Sequence, residues 1–198
     1  MKNQIPKVAI LMAAYNGRKW IEEQLHSIWS QENVLIDIYI SVDLSTDDTY
    51  VFLKNIAKDN KNLNILSYGK RYGDAAKNFY RLIKDVDTSS YDYIAFSDQD
   101  DIWYSQKLIR GINEMKLSGS QGFSSDVMAF WPNGKEKLVK KSYPQKRFDF
   151  IFESAGPGCT YIFCSEPFQE FKNFVINNWN KVLKIDFHDW LAYSFFRI

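Results

Sequence analysis

The stretch YIAFSDQDDIW, residues 93–103, places a short apolar run directly before a cluster of carboxylates. Residues 93–96 predict a buried strand, and Asp98, Asp100 and Asp101 follow at its carboxyl end. Carboxylates beside a buried strand are costly unless a cation or a ligand compensates their charge. In an extended segment Asp98 and Asp100 point the same way, because side chains alternate with a period of two. The sequence therefore predicts that these two carboxylates face one metal–diphosphate group.

We call residues 98–101 the acidic segment. Oxygen ligands alone select a hard divalent cation, so this segment predicts Mg²⁺ or Mn²⁺ bound together with substrate phosphates. The alternative is a solvated acidic turn that caps a helix beginning near Ser105, since acidic residues are favoured at helix starts.

The rest of the first half alternates predicted strands with predicted helices. Apolar runs predict three further strands, over 8–14, 36–42 and 63–66. Apolar residues at helical spacing separate these runs, which predicts an α/β fold with a mostly parallel central sheet flanked by helices. Ligands of such sheets bind at the carboxyl ends of the strands. Asn16, Asp43 and Asp98 all fall at such ends, and this favours a ligand site over a solvated turn.

The second half has a more mixed pattern. It predicts, in order, a helix from about residue 105, a strand over 123–131, a loop over 132–147, a strand over 159–164, a helix around 168–175 and a short aromatic helix after 188–190. The loop contains six basic residues, which predict a solvated segment. A role near a charged acceptor or a membrane surface is the alternative.

Composition limits the class of protein. The chain has 198 residues, 45% hydrophobic and 25% charged, which predicts one globular domain over 1–198, and its net charge of +1 gives no indication of a nucleic-acid partner. Its two cysteines, Cys159 and Cys164, would point to opposite faces of one strand, which predicts reduced thiols in a cytoplasmic protein. The apolar run 8–14 is too short to span a bilayer, so any membrane contact would be peripheral, at the inner face. Nothing in the sequence indicates the oligomeric state.

Five motifs occur along the chain in one order: AYNG at 14–17, DLSTD at 43–47, SDQDDIW at 97–103, GCT at 158–160 and HDW at 188–190. In this order they resemble the inverting family 2 glycosyltransferases of the GT-A fold, and within them the bacterial rhamnosyltransferases. The resemblance covers nearly the whole chain. It implies a nucleotide-sugar-binding half over 1–103 and an acceptor-side half over 104–198. Family members usually continue beyond the last motif, which implies a truncated chain or a minimal catalytic domain.

The resemblance implies donor-binding roles at the strand ends. The matching donor positions are Ala14, Asn16, Asp43, Arg71 and Asp98, and the matching metal ligand is Asp100. Asp43 would accept from the N–H of a pyrimidine base, with Arg71 at a base carbonyl and Asp98 toward the ribose. Val42 and Leu44 depart from the family pattern, which has a polar residue and a glycine there, so Asp43 would read the base alone.

On the acceptor side, Asp189 matches the catalytic base, and Gly158 and Trp190 match acceptor-side positions. The implied reaction is metal-dependent, inverting transfer of a sugar, by resemblance rhamnose, from a dTDP- or UDP-sugar. The implied acceptor is a saccharide or a lipid-linked saccharide in cell-surface polysaccharide synthesis. His188 is an alternative base, because a neutral imidazole accepts a proton. Two other functions stay open: a nucleotide-sugar-binding module without turnover, and a sugar-nucleotide pyrophosphorylase, although residues 16–19 are too short for the loop of that class.

Overall fold

The computed structural model of the chain describes residues 4–197. Strands and helices alternate through the first half: β1 (Lys7–Ala14), α1 (Ile21–Trp29), β2 (Leu35–Val42), α2 (Thr49–Ile56), β3 (Leu63–Ile65), α3 (Ala75–Asp85) and β4 (Tyr93–Ser97). The second half adds α4 (Lys107–Ser118), β5 (Gly122–Phe123), β6 (Val127–Phe130), β7 (Glu136–Val139), β8 (Ile162–Cys164), α5 (Ser165–Asn177), α6 (Trp179–Val182) and α7 (His188–Arg197). Short 3₁₀ turns lie at Asp149–Ile151 and Gly158–Thr160.

In the part of the chain that the structure describes, the central sheet has six strands in the order β3-β2-β1-β4-β8-β5. β3, β2, β1 and β4 are parallel to one another, whereas β8 is antiparallel to both β4 and β5. The predicted α/β fold with a mostly parallel sheet is therefore confirmed. Strands from both halves of the chain belong to this one sheet, since β8 pairs directly with β4.

Helices cover both faces of the sheet, which explains why β1 is apolar from Val8 to Ala14. Ala9, Leu11 and Ala13 belong to the cluster that contains α3, α5 and α7, whereas Ile10 and Met12 belong to the cluster that contains α1, α2 and α4. A parallel strand buried on both faces needs apolar residues at every position. Each large apolar side chain buried in this way contributes about 1.5–3 kcal/mol. Within residues 4–197, no helix combines the length and the apolarity that crossing a membrane requires.

Two predicted strands differ from the observed ones. The strand predicted over 123–131 is wrong as one element, because residues 124–126 separate β5 in the central sheet from β6. Within residues 4–197, β6 pairs with β7 alone, so the loop predicted over 132–147 contains a strand of a two-stranded hairpin. Its turn has Gly134 at φ +79°, a conformation that glycine adopts without steric cost. The strand predicted over 159–164 begins only at Ile162, since Cys159 lies in a 3₁₀ turn; both cysteines are free thiols.

Candidate active site

The carboxyl ends of β1, β2 and β4 meet at a cavity of about 310 Å³, which we call the first cavity. Five residues that the sequence assigned to the donor or the metal line it: Ala14, Asp43, Arg71, Asp98 and Asp100. Arg71 reaches it from the loop that precedes α3. The parallel arrangement of the strands explains this convergence, because it brings their carboxyl ends to the same edge of the sheet.

Asp43 holds the loop that carries Arg71. It is only 4% exposed, and its Oδ1 accepts hydrogen bonds from the backbone N–H groups of Leu44 and Tyr72, each at 2.7 Å. Its Oδ2 accepts from the N–H of Gly73 at 2.8 Å. A carboxylate has about four lone-pair sites, so these bonds leave little capacity for a nucleotide base. Asp43 is thus both a wall of the first cavity and a clamp on the 71–73 loop.

Asn16 does not belong to the residues that line the first cavity. Its Oδ1 accepts from the backbone N–H of Thr46 at 2.8 Å, and its own N–H donates to Ser45 Oγ at 3.0 Å. Its backbone is left-handed, with φ +46°, a region that asparagine tolerates better than most residues. The structure therefore places Asn16 as a link between the loops after β1 and β2.

Gln99 is a site residue that the sequence analysis missed. Its Oε1 accepts from the N–H of Tyr15 at 2.9 Å, and its Nε2 donates to the carbonyl of Tyr15 at 2.8 Å. These two hydrogen bonds join the acidic segment to the end of β1. A Cβ at Gly17 would lie 2.0 Å from Gln99 Oε1, so the glycine of the AYNG motif leaves space for this side chain. The Gln between two aspartates is the only sequence signal for this contact.

Asn78 and Arg81 are also missed residues, and they support the floor of the first cavity from α3. Asn78, which lines the cavity, donates from Nδ2 to the carbonyl of Ser41 at 2.8 Å and accepts from Ser41 Oγ through Oδ1. Arg81 donates to Ser41 Oγ at 2.9 Å and to the carbonyl of Ser67 at 2.6 Å. Buried polar groups need such partners. Their signal is the presence of polar residues on a helix buried on most of its surface.

The acidic segment bends at Gln99 and Asp100, so its side chains do not alternate as in a strand. Carboxylate oxygens of Asp98 and Asp101 and the Sγ of Cys159 lie within 4.8 Å of one another. Burial, followed by the charges of Asp101 and Asp100, raises the pKa of Asp98 to about 7. Burial likewise raises the pKa of the Cys159 thiol, which keeps it protonated. The sequence prediction placed Asp98 and Asp100 on one side of an extended segment. The chain bends there instead; both residues line the first cavity, and the bend brings Asp101 next to Asp98 as well.

Lys107, at the start of α4, is the cation beside this cluster. Its Nζ donates to the carbonyl of Cys159 at 2.6 Å and lies 3.2 Å from the centroid of the Trp103 ring. Burial lowers the pKa of Lys107 to about 7, against the opposing effect of Cys159, Asp101 and Asp98. Lys107 compensates only part of the negative charge of the acidic segment. The buried Asp101 Oδ2 also has no hydrogen-bond partner within residues 4–197. Both observations fit a site for a divalent cation held by oxygen atoms.

The HDW motif begins α7 close to the acidic segment. Asp189 Oδ1 accepts from the N–H of Trp190 at 2.8 Å, and burial raises the pKa of Asp189. The charge of Asp189 is one of those that raise the pKa of Asp98. A Cβ at Gly158 would lie 3.2 Å from the Cβ of Asp189 and 3.0 Å from His188 Nε2, so the glycine permits this close approach. Gly158 also directly precedes Cys159, so the contact between Gly158 and Asp189 places Asp189 beside the cluster of Asp98, Asp101 and Cys159.

The two neighbours of Asp189 point elsewhere. The His188 ring stacks on Phe79 with centroids 3.8 Å apart, and burial lowers its pKa to about 3. A neutral ring enclosed in the core is poorly placed to accept a proton from a substrate. Trp190 donates from Nε1 to the carbonyl of Phe150 at 2.7 Å, which directs the indole toward the 149–151 turn.

Residues 9–177 match the family described as glycosyl transferase family 2. The chain belongs to this family. It is 50% identical to the dTDP-rhamnosyl transferase RfbG of Shigella flexneri, over 94% of this chain and 65% of that protein. It is 30% identical to the putative teichuronic acid biosynthesis glycosyltransferase TuaG of Bacillus subtilis, over 63% of this chain and 47% of that protein. The chain thus spans less than two thirds of these curated relatives.

Solved structures of glycosyltransferases have the same fold as this family 2 chain. TarS 1-349 of S. aureus matches with a TM-score of 0.67 at 16% identity, over 96% of this chain and 55% of TarS. The mannosyltransferase PcManGT from Pyrobaculum calidifontis, solved with GDP-Man and Mn²⁺, matches with a TM-score of 0.61 at 16% identity, over 85% of this chain and 47% of that one. The GT-A fold and the family 2 membership expected from the motifs are therefore confirmed.

Proposed function

We propose that this chain is the catalytic part of an inverting glycosyltransferase that transfers rhamnose from dTDP-rhamnose. The observation that carries the donor assignment is the 50% identity to the dTDP-rhamnosyl transferase of Shigella flexneri. The acceptor in this proposal is a saccharide or a lipid-linked saccharide used in cell-surface polysaccharide synthesis. Because uracil and thymine present the same N–H and carbonyl groups, a UDP-sugar is the second donor to be tested.

The first cavity supports the donor part of the proposal. Its volume of about 310 Å³ is within the range of small-molecule sites. Arg71, which is exposed at its edge, provides a cation for a base carbonyl or a phosphate. Asp43 offers its remaining lone pair to the base N–H, and its clamp on the 71–73 loop fixes Arg71 in reach. Ala14 provides a small wall on which the nucleoside can lie, and Asn16 holds the loop behind it.

The acidic segment supports a requirement for Mn²⁺ or Mg²⁺. Asp98, Asp100 and Asp101 are the residues that would hold the cation, with Asp100 on the side of the first cavity and Asp101 against Cys159. When bound, a divalent cation supplies positive charge for a leaving diphosphate. Lys107 keeps the segment partially compensated and fixes it to the 158–160 turn.

Asp189 is the proposed general base. Its raised pKa gives it higher basicity than an exposed aspartate, and the helix N–H at Trp190 orients one of its oxygens. The free oxygen would take the proton of the acceptor hydroxyl while that hydroxyl attacks the anomeric carbon. Gly158 is proposed to border the acceptor because it lies against Asp189. Trp190 is proposed to hold the 149–151 turn, which would bound the acceptor on that side.

The free thiols of Cys159 and Cys164 support a cytoplasmic location, and we propose peripheral contact with the inner face of the membrane.

A thermal-shift panel tests the donor proposal. dTDP-rhamnose, UDP-glucose and CDP are compared, each with Mn²⁺ and with EDTA. Saturating donor at about 100 Kd adds about 2.7 kcal/mol, which for a chain of this size raises Tm by roughly 5–10 °C. We expect this shift for dTDP-rhamnose with Mn²⁺ and a small one with EDTA. The proposal would be contradicted if CDP raised Tm as much as dTDP-rhamnose does, or if neither dTDP-rhamnose nor UDP-glucose raised Tm.

Turnover separates the transferase from a binding module. Release of dTDP from dTDP-rhamnose is measured with lipid-linked oligosaccharides extracted from bacterial membranes as the acceptor source. The Asp189→Asn variant is the control, because it should keep the thermal shift and lose the acceptor-dependent release. Donor binding without any release would favour the binding module.

A further inference from the structure

A second cavity lies on the other side of the acidic segment. It has a volume of about 310 Å³ and lies between the start of α4, the β6–β7 hairpin and the 158–160 turn. The acidic segment and the residues after it separate the two cavities: Asp98, Gln99 and Asp100 line the first, whereas Asp101 and residues 102–104 line the second. A molecule in the second cavity is therefore next to the residues that would hold the divalent cation of a metal–diphosphate group.

The walls of the second cavity combine aromatic faces with carboxylates. Tyr104 is 76% exposed and Phe130 is 57% exposed, although both line a concave site. On the hairpin, Phe130 is paired across the strands with Glu136, so an aromatic ring and a carboxylate lie on one face. Asp126 adds a second carboxylate to the lining. Such walls suit a ligand with apolar C–H faces and hydroxyl groups that donate hydrogen bonds.

The charge of the lining argues against an anionic ligand. Asp126 and Glu136 contribute negative charge away from the proposed cation site, whereas Lys107 is the one cation among the described lining residues. The Lys107 ammonium is already engaged by the Cys159 carbonyl and the Trp103 ring. A phosphate or an anionic lipid headgroup would meet mostly repulsion, and a neutral sugar would not.

We propose that the second cavity binds a pyranose ring of the acceptor saccharide, stacked on Tyr104 and Phe130. This inference rests on the proposed glycosyltransferase function and specifies where the acceptor lies. It assigns acceptor contacts to the α4 start and the β6–β7 hairpin, in addition to the region around Gly158. Cys159 and Thr160 of the 158–160 turn line the cavity as well, so an acceptor hydroxyl at its inner end approaches the turn that packs on Asp189.

Saturation-transfer-difference NMR tests the site with defined probes. Methyl α-L-rhamnopyranoside and methyl N-acetyl-β-D-glucosaminide are added to the protein with dTDP and Mn²⁺, and decyl phosphate is the competing probe for a lipid. We expect ring-proton signals from at least one glycoside. Tyr104→Ala and Phe130→Ala should each weaken its affinity about fivefold, which is the loss expected for one aromatic contact.

Two matched variants control for surface aromatics in general. Tyr143→Ala removes a tyrosine that is 61% exposed and Phe152→Ala a phenylalanine that is 78% exposed, and neither residue lines the second cavity. Both should keep wild-type glycoside affinity within about twofold, and all four variants should keep the thermal shift with dTDP. The proposal is overturned if Tyr104→Ala and Tyr143→Ala bind the glycosides equally, if the wild type binds neither glycoside, or if decyl phosphate alone is bound. Loss of dTDP binding in the wild type would instead refute the proposed function.

Discussion

Replacing Asp43 by asparagine tests whether this residue is mainly a clamp on the 71–73 loop. The carboxylate accepts three backbone N–H groups, at 2.7, 2.7 and 2.8 Å, while only 4% exposed. An asparagine has one acceptor oxygen, so its amide NH₂ would face at least one of these N–H donors. A hydrogen bond to a charged group contributes about 1.5–3 kcal/mol, and a buried unsatisfied donor costs about 1–3 kcal/mol. We therefore expect Asp43→Asn to lower the free energy of unfolding by about 2–4 kcal/mol.

Urea unfolding without nucleotide measures this loss, and a melting curve should show Tm lowered by roughly 5–15 °C. Asp48→Asn is the matched control, since Asp48 belongs to the same loop region, its side chain is 68% exposed and it makes no capping hydrogen bond. It should change the free energy of unfolding by less than about 0.5 kcal/mol. If Asp43→Asn is as stable as Asp48→Asn but no longer distinguishes dTDP from CDP, then Asp43 recognises the base and does not stabilise the 71–73 loop.

Four further predictions follow from the site. Asp189→Asn should lower kcat by roughly 10²–10⁴-fold with an unchanged donor Kd, and steady-state rates with nucleotide titrations check this. Gly158→Ala should lower kcat about tenfold, because its Cβ would lie 3.2 Å from the Asp189 Cβ; wild-type kcat would show that the turn yields without moving the base. Asp100→Asn and Asp101→Asn should each weaken Mn²⁺-dependent dTDP binding in calorimetry, and an unchanged affinity for either variant would remove that residue from the metal site. Finally, since the pKa of Asp98 is raised to about 7 when folded, the folded state binds its proton more tightly than the unfolded state does. The contribution of Asp98 to the stability of the metal-free protein should therefore fall as pH rises from about 4 to about 7, whereas His188, whose pKa is lowered to about 3, contributes the opposite slope. The free energy of unfolding of the wild type minus that of Asp98→Asn, measured in urea at each pH, isolates the Asp98 contribution and should decrease over this range; a difference that does not change with pH would contradict the assignment.

The central sheet could be predicted from the sequence because its strands are buried on both faces. The run 8–14 is apolar at every position, and β1 is buried along nearly its whole length. The hairpin could not, because β6 and β7 lie outside the central sheet and β7 is mostly exposed, which leaves little apolar pattern. The single strand predicted over 123–131 ignored the polar residues at 124–126, where the chain leaves the sheet.

The gathering of Asp43, Asp98 and Asp100 at one cavity follows from the strand order, and so could be anticipated. The roles of Gln99 and Lys107 could not, because their partners are backbone carbonyls of Tyr15 and Cys159, which no side-chain pattern reveals. The position of Asp101 was also missed, since the expected period-two alternation requires an extended segment and the chain bends there.

The pairing of β4 with β8 has a consequence for how the chain is made. Ala95 pairs with Ile162, yet the two residues are far apart along the chain. At a synthesis rate of 5–20 residues per second, Ile162 is added roughly 3–13 s after Ala95. During that interval the nascent chain exposes one edge of β4 beside an apolar face, which is a template for pairing with other chains. Fragments released from the ribosome before residue 162 should therefore aggregate, whereas chains that include β8 can close the sheet.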